Sequence, residues 1–259
     1  MTTIAVLGLG EAGRRYARGL AHAGADVRGF DPAHDLGDPD VPQFATLRDA
    51  VAGADVALSL VTGHAAASVA RDALPHLPEG AVYADLNTGA PELKQRIAGL
   101  AAQRGLAMAD VAVLAPVVRA GHRTPLLASG TGARAFAERV TPFEVPVDVV
   151  EGGAGEAARL RLLRSVFMKG LAALVLEGLG ASRAVGAEDW LRAQMAQELG
   201  PDGAALVDRL VDGSTTHAVR REHEVRAALT ALEASGQPAD MTRATLAWFE
   251  RLVAERDHD

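Results

Sequence analysis

The chain of 259 residues contains no cysteine, which excludes disulfide bonds, thiolate nucleophiles and zinc-thiolate centres. No run reaches about 18 uninterrupted apolar residues, so the sequence predicts no membrane-spanning helix. The start, MTTIAVLG, enters an apolar segment without a basic region or a cleavage site. We therefore expect no secretory signal and a cytoplasmic location.

Basic residues are fewer than acidic ones, and lysine is scarce. The formal net charge of −7 argues against a nucleic-acid partner, because phosphate binding needs clustered Lys and Arg. Only Lys94 and Lys169 are lysines, so both stand out from an arginine-rich background. The eight histidines form no H-x-x-x-H or H-x-H pair, and no carboxylate cluster has metal-ligand spacing. We expect no bound metal.

Three glycines follow the first apolar run. Residues 4 to 30 predict a strand, an amphipathic helix and a second strand, which together make one βαβ unit. In such a unit Gly8 permits a tight turn, Gly10 lets the backbone approach a pyrophosphate, and Gly13 lets the helix pack on the strand. The helix N-terminus favours the phosphates. The predicted dinucleotide contacts of this loop are Gly8, Leu9, Gly10, Glu11, Ala12 and Gly13.

An acidic residue ends the second predicted strand. Asp31 follows Gly10 by 21 residues, a position at which a carboxylate accepts hydrogen bonds from a ribose 2′-OH. Because this carboxylate repels a 2′-phosphate, NAD is the preferred cofactor. NADP stays possible, since Arg28 and His34 are cations near enough in sequence to reverse the preference.

Strands and helices alternate up to about residue 150. This alternation predicts a Rossmann-type α/β domain over residues 1–150, with a doubly wound, mostly parallel sheet that binds its ligand at the carboxyl ends of the strands. Candidates at this edge follow two of the strands. Val61, Thr62 and Asn87 are predicted cofactor contacts, Thr88 is a predicted substrate contact, and His64 and Asp85 are weaker candidates.

Residues 151–259 predict an all-helical domain. One helix of about 30 residues covers 156–185, and the later breaks are expected at Gly186, Gly200-Pro201, Gly213-Ser214 and residues 236–238. The segment VFMKGLAALVLEGLGA is apolar nearly all round, so we expect its second side to meet another subunit in a homodimer. The alternative is a helix broken near Gly178 to Gly180 that packs within one chain.

The sequence resembles the β-hydroxyacid dehydrogenase and 6-phosphogluconate dehydrogenase superfamily, and within it the small branch with a divergent phosphogluconate-dehydrogenase C-terminal domain. The resemblance is carried by GLGEAG, similar to G-L-G-x-M-G, and by ADLNTGAP, similar to D-x-S-T-x-x-P. LRSVFMKGLAALVLEGL and THAVRREHEV resemble the helical domain of that branch. The resemblance implies an NAD(P)-dependent oxidoreductase.

One departure from the family pattern concerns the substrate. Relatives bind a substrate carboxylate through Asp-Ala-Pro-Val-Ser-Gly-Gly, whereas this chain has DVAVLAP over 110–116. Leu114, Ala115 and Pro116 stand where Ser-Gly-Gly is expected, and Pro116 has no N–H to donate. We expect a different substrate.

The other departure concerns proton transfer. Alignment of the family's Lys-x-x-Asn on the long helix puts Arg161 at the lysine and Arg164 at the asparagine. Arginine stays protonated and is a poor proton shuttle, whereas the pKa of a lysine is tuned by its surroundings. We hypothesise that Arg161 and Arg164 orient an anionic or carbonyl group while Lys169 transfers the proton. Ser165 lies between Arg161 and Lys169 on one side of the helix and is a predicted substrate contact. The alternative for Lys169 is a snorkelling residue at a subunit interface.

A second charged cluster lies in HAVRREHE, 217–224. His217, Arg220, Arg221 and Glu224 recur at helical spacing, and His223 with Glu224 falls where the larger family has Lys-Asp. Arg220 and Arg221 are predicted substrate contacts; a solvated, salt-bridged face is the alternative.

The sequence thus predicts an NAD(P)-dependent oxidoreductase that moves hydride between nicotinamide and a hydroxyl or carbonyl group of a hydroxy-acid or sugar-acid-like substrate between the two domains. Imine reduction on the same scaffold is one alternative. A dinucleotide-binding sensor without catalytic activity is another.

Overall fold

A computed structural model describes residues 2–256. The chain divides between Arg161 and Leu162 into two compact units, called here the N-terminal unit and the helical unit. The predicted division at residue 150 stays a prediction. The observed division lies inside a helix because the first turn of that helix is hydrogen-bonded to side chains of the N-terminal sheet. No helix in the described part of the chain is long and apolar enough to cross a membrane.

The N-terminal unit is built on a sheet. The strands are β1 (Thr3–Leu7), β2 (Asp26–Phe30), β3 (Val56–Ser59), β4 (Val82–Asp85), β5 (Ala107–Val113), β6 (Leu126–Ser129) and β7 (Val147–Val149). The helices are α1 (Glu11–His22), α2 (Leu47–Val51), α3 (Ala66–Ala73), α4 (Pro91–Ala102), α5 (Val117–Ala120) and α6 (Ala133–Val140). Short 3-10 turns occupy Leu74–His76, Gly121–Arg123 and Thr141–Phe143.

The strand order is β2-β1-β3-β4-β5-β6-β7, and this confirms the predicted doubly wound, mostly parallel sheet. The first five strands in this order are parallel. β6 runs antiparallel to β5 because only the four-residue helix α5 and a 3-10 turn connect them, and a parallel return needs a longer crossover. The order reverses beside β1, whose neighbours are β2 and β3, so a ligand crevice is expected there.

Both faces of the sheet are covered. Alternate residues of β1 belong to two apolar clusters on opposite faces of the sheet. Ile4 and Val6 belong to the cluster that contains Tyr16 and Leu20 of α1. Ala5 and Leu7 join the opposite cluster, which includes side chains from α3 and α4. Burial on both faces explains why the β1 sequence is continuously apolar instead of alternating.

Helices form all of the regular structure in the described part of the helical unit. They are α7 (Glu156–Ala184), α8 (Glu188–Glu198), α9 (Gly203–Thr216), α10 (Ala218–Ala234) and α11 (Asp240–Arg256). Their core contains Val175 and Leu179 of α7, Leu210 of α9, Val225 of α10 and Phe249 of α11.

Two of the helices continue through positions where the sequence suggested a break. α7 runs unbroken through Gly178 and Gly180, so the alternative of a break there is wrong. The predicted break at Gly213-Ser214 is also wrong, because α9 continues to Thr216. A Cβ at Gly213 would lie 2.4 Å from a guanidinium nitrogen of Arg221, so this glycine makes room for a side chain of α10 instead of ending the helix.

Candidate cofactor and active site

The turn from β1 into α1 is tightly built around the three glycines. Gly8 has φ +94°, and a Cβ there would lie 2.5 Å from the carbonyl oxygen of Leu60. A Cβ at Gly13 would lie 1.8 Å from the carbonyl oxygen of Gly8. By contrast, a Cβ at Gly10 would have no neighbour within 4 Å. Two glycines are therefore required by the fold, whereas Gly10 faces open space that a ligand can fill.

The start of α1 suits a negatively charged group. Gly10 is the N-cap, and no side chain caps this end of the helix. Arg14, in the second turn, donates from Nε to the carbonyl oxygens of Leu9 at 3.3 Å and Gly10 at 3.4 Å, which brings a cation to the loop. The helix dipole and the Arg14 guanidinium both favour a negatively charged group at the start of α1. Arg14 was not among the residues predicted from the sequence.

The Asp31 carboxylate closes the other side of the loop. Its Oδ2 accepts a hydrogen bond from the Leu9 N–H at 2.7 Å, and its Oδ1 accepts from the N–H groups of Ala33 at 2.8 Å and His34 at 3.0 Å. Burial raises the pKa of this carboxyl. The hydrogen bonds from the three backbone N–H groups and the His34 ring together lower it by more, so the net shift of the pKa is downward. Asp31 is therefore a fixed negative charge.

Arg28 and His34, the two basic residues near Asp31, differ in their contacts. Arg28 donates to the carbonyl oxygen of Ala52 at 2.5 Å, and its guanidinium lies 5.7 Å from the ring centroid of Phe44. The ring Nδ1 of His34 lies 3.2 Å from Oδ2 of Asp31, and the His34 side chain is half exposed. Of these two, only His34 contacts the Asp31 carboxylate.

The carboxyl ends of β3 and β4 lie side by side. The Val61 N–H donates to Oδ1 of Asn87 at 2.7 Å, and Asn87 Nδ2 donates to the Ser59 hydroxyl at 2.8 Å. The Asn87 side chain is thus buried and used within the fold, while Thr62 and Thr88 are exposed beside it. The structure brings the candidates of these two loops to one edge of the sheet.

Lys94 is a buried residue at this edge to which sequence analysis gave no role. Its side chain is 1 % exposed, and its Nζ donates to the carbonyl oxygens of Asp85 at 2.9 Å and Asn87 at 2.7 Å. The carboxylates of Asp85 and Asp110 lie within 3.4 Å of the same nitrogen. The one feature of the sequence that pointed to Lys94 was the rarity of lysine in this chain.

The loop after β5 contains Leu114, Ala115 and Pro116, which replace the family's Ser-Gly-Gly. Its contacts agree with the expectation that it does not bind a substrate carboxylate in the family's way. The Leu114 N–H donates to the carbonyl oxygen of Pro125 at 3.0 Å, so it is used by the sheet. Pro116 is the N-cap of α5 and has no N–H. Leu114 and Pro116 therefore offer no backbone donor for a substrate carboxylate.

In the helical unit, Lys169 of α7 pairs with Glu224 of α10. The Nζ to Oε2 distance is 2.6 Å, and the two side chains are 17 % and 20 % exposed. Upstream on α7, Arg164 is exposed, and Arg161 and Ser165 are half-buried. The predicted catalytic side chains thus lie along one helix, and one of them has a carboxylate partner that the sequence did not pair with it.

Two of the charged side chains at the start of α10 have contacts within the helical unit. Arg221 donates to the Ser214 hydroxyl at 2.6 Å, Glu224 contacts Lys169, and Arg220 and His217 are exposed.

The residues present fit a dinucleotide. The open space at Gly10, the uncapped start of α1 and the fixed Asp31 carboxylate provide places for a pyrophosphate and a ribose. Residues 3–143 match the NAD binding domain of 6-phosphogluconate dehydrogenase, and residues 182–252 match a domain of unknown function, DUF1932. The chain belongs to this dehydrogenase family. The resemblance seen in the sequence is confirmed, and the cofactor is NAD or NADP.

Relatives are similar over most of the chain. The NAD-dependent L-serine dehydrogenase of Pseudomonas aeruginosa is 29 % identical over 77 % of this chain and 69 % of its own length. A conserved hypothetical protein of Sinorhizobium meliloti is 31 % identical, with a TM-score of 0.78 over 96 % of this chain and 88 % of the other.

More distant structures share the fold. The 3-hydroxyisobutyrate dehydrogenase of Mycobacterium tuberculosis, solved with L-serine, has a TM-score of 0.82 at 21 % identity, covering 98 % of this chain and 94 % of the other. An imine reductase of Myxococcus stipitatus, solved with NAD+, has a TM-score of 0.68 at 20 % identity, covering 98 % and 95 %. These two structures show the fold alone, whereas the family match makes the chain an NAD(P)-dependent oxidoreductase.

Proposed function

We propose that the protein transfers hydride between NAD and the hydroxyl or carbonyl carbon of a hydroxy-acid or sugar-acid-like substrate. The observation that carries this proposal is the loop after β1, in which the Asp31 carboxylate binds the Leu9 N–H next to the open face of Gly10. This arrangement favours two ribose hydroxyls over a 2′-phosphate, because the carboxylate is charged and fixed. Gly8 to Gly13, Asp31, Val61, Thr62 and Asn87 are the residues assigned to cofactor binding.

The nicotinamide supplies the hydride chemistry when it is bound. In the reducing direction, we assign Lys169 as the donor of a proton to the carbonyl oxygen of the substrate. The Nζ of Lys169 lies 2.6 Å from Oε2 of Glu224, so this carboxylate holds the lysine side chain in position. In the oxidising direction the same nitrogen takes the hydroxyl proton. Solvent then restores the starting protonation state.

The remaining assigned residues orient the substrate. Arg161 and Arg164 carry permanent charge, so they suit an anionic or carbonyl group and not proton transfer. Thr88 and Ser165 offer hydroxyl groups, and Arg220 and Arg221 offer further cations. Since Leu114 and Pro116 offer no backbone donor, we propose that arginine side chains bind the acid group of the substrate.

We also propose that the protein is a cytoplasmic homodimer assembled through the helical unit. Leu163, Phe167 and Leu174 of α7 are 44 %, 66 % and 57 % exposed, and their spacing of four and seven residues places them on one face of the helix. An apolar stripe of this kind is typical of an interface between subunits.

A two-stage experiment tests the proposed function. Fluorescence titrations with NADH and NADPH come first, and tighter binding of NADH is expected. Oxidised or reduced cofactor is then offered with panels of hydroxy acids, keto acids and imines, and nicotinamide absorbance is followed. Turnover of imines alone would favour imine reduction, for which Arg161 in place of the family's lysine is the supporting observation. Binding of cofactor without any turnover would favour a sensor.

A further inference from the structure

Asp85 and Asp110 lie directly opposite each other on the parallel strands β4 and β5. Both side chains are fully buried, so two like charges would repel without water to screen them. The Nζ of Lys94 lies 3.2 Å from Oδ2 of Asp85 and 3.4 Å from Oδ1 of Asp110. One buried ammonium therefore compensates two buried carboxylates at the carboxyl ends of the strands.

The second oxygen of Asp110 holds the first turn of α7. Oδ2 accepts hydrogen bonds from the N–H groups of Gly155 at 3.0 Å and Ala158 at 3.1 Å. The Ser129 hydroxyl donates to the same oxygen at 3.3 Å and accepts from the Ala157 N–H at 3.0 Å. These are N–H groups that the start of a helix leaves without intrahelical partners. The position and rotation of α7 at its first turn are fixed in this way.

The second oxygen of Asp85 leads to the loop after β3. Oδ1 accepts hydrogen bonds from the Asn87 backbone N–H at 3.0 Å and from Asn87 Nδ2 at 2.5 Å. Asn87 Oδ1 then accepts the Val61 N–H at 2.7 Å. A continuous series of contacts therefore runs from Val61 to the first turn of α7, with Lys94 at its centre.

Burial of this charged cluster costs more free energy than burial of apolar side chains would. Apolar side chains of similar volume stabilise a protein as well or better, because three buried charges lose their hydration. The cluster also lies at the edge of the sheet where open α/β folds bind their ligands. Its two branches end at a loop assigned to the cofactor and at the helix that carries Lys169.

We propose that Lys94 is a positioning residue that fixes the cofactor-binding backbone at Val61 and the first turn of α7. The proposal rests on the proposed function, since Val61 is assigned there to the cofactor. Lys94 itself is buried and acts through Asp85, Asn87 and Asp110.

Lys94→Met in the full-length chain tests this role, because methionine keeps most of the side-chain volume and removes the charge. NADH affinity is measured by fluorescence titration at a temperature where every variant is folded. We expect the Kd of NADH to rise about tenfold or more, as for other losses of positioning. Hydrogen exchange of the Val61 and Ala158 amides in the cofactor-free protein should become faster.

Ile97→Ala is the matched control. Ile97 lies on the same helix, α4, is fully buried, and belongs to an apolar cluster. Its truncation lowers stability without touching the charged network. We expect the Kd of NADH in this variant to stay within about twofold of wild type, and exchange at Val61 and Ala158 to be little changed.

The outcomes separate the two proposals. If wild-type protein binds neither NADH nor NADPH, the proposed function fails and the role of Lys94 fails with it. If wild type binds NADH and Lys94→Met matches Ile97→Ala in both readouts, only the role of Lys94 is overturned. Should Lys94→Met not fold, Lys94→Gln replaces it, because glutamine also removes the charge but keeps a donor for a backbone carbonyl. Unchanged NADH affinity and unchanged exchange at Val61 and Ala158 in Lys94→Gln would equally overturn the proposal.

Discussion

The backbone N–H of Leu9 donates to Oδ2 of Asp31 at 2.7 Å, which ties the glycine loop to the end of β2. The residue that we propose to select the ribose therefore also holds the loop that we assign to the pyrophosphate. Substitution at this carboxylate should affect both halves of the dinucleotide.

Asp31→Asn is expected to weaken NADH binding about tenfold or more, because charge-assisted hydrogen bonds to the carboxylate are lost. NADPH binding should weaken less, since the repulsion of a 2′-phosphate is removed. The ratio of the two Kd values, measured by fluorescence titration, reports this change. Asp35→Asn, an exposed acid in the same loop, is the control. A parallel loss of both cofactors would show that Asp31 acts only on the loop.

The low pKa of Asp31 gives a pH prediction. Because the folded pKa is depressed, the carboxylate stabilises the folded state above the unfolded pKa, and this contribution is lost as pH falls through the folded value. The difference in unfolding free energy between wild type and Asp31→Asn should therefore persist at pH 5 and shrink only below about pH 4. Denaturant titrations across this range measure it. A difference that already vanishes at pH 5 would contradict the assignment.

Gly10 and Gly13 should respond in opposite ways to alanine. In Gly13→Ala the new Cβ meets the carbonyl oxygen of Gly8, so we expect a loss of about 3 kcal/mol or more of stability. In Gly10→Ala nothing lies within 4 Å of the Cβ, and the unfolding free energy should change by about 1 kcal/mol or less.

Gly10→Ala is expected to lower cofactor affinity, because the new methyl group occupies the side from which a pyrophosphate approaches. Gly99→Ala on α4, which also has open space at its Cβ, is the control for the substitution itself. It should keep wild-type NADH affinity and gain up to about 1 kcal/mol in stability. Normal NADH binding by Gly10→Ala would exclude the loop as the pyrophosphate site.

The sequence was sufficient for the βαβ unit because each part is specified locally: an apolar strand, a glycine turn and an acid at the end of β2. The Lys94 cluster could not be predicted in the same way. Asp85 and Asp110 lie on different strands, and their meeting at Lys94 depends on the register that places the two aspartates opposite each other. Likewise, the continuity of α9 through Gly213 depends on Arg221 of another helix.

Lys169→Met tests proton transfer. We expect turnover to fall about 10²- to 10⁴-fold, the range typical of general acid–base catalysis, while the Kd of NADH changes little. Glu224→Gln should lower turnover less, since the lysine remains present. The control is Arg243→Met, which breaks an exposed pair with Glu233 in the same unit. Unchanged turnover in Lys169→Met would remove this residue from the mechanism.

Phe167 is the most exposed apolar residue of the α7 stripe, so Phe167→Glu tests the homodimer. A charge placed in a desolvated interface opposes association. Light scattering after gel filtration should show a dimer for wild type and a monomer for Phe167→Glu. Val118→Glu introduces the same charge at an exposed apolar residue of the N-terminal unit and should leave the mass unchanged. A monomeric wild type would overturn the predicted dimer.

The imidazole of His122 gives a second pH-dependent prediction. Burial lowers its pKa most, and Arg123 and His22 lower it further, against the opposing effects of Glu144 and the Phe143 backbone. Since the folded pKa lies below the ordinary value near 6.5, the unfolded chain binds the proton first as pH falls. His122 therefore costs stability below about pH 6.5 and none above it.

The test is the change in Tm between pH 7.5 and pH 5.5 for wild type and His122→Gln. Glutamine keeps polar atoms but cannot be protonated, so the fall in Tm should be smaller in this variant. His76→Gln, at an exposed histidine, is the control for the substitution, and its Tm should fall as much as that of wild type. A fall in Tm that is equal in all three proteins would show that His122 is protonated in the folded state as readily as in the unfolded chain.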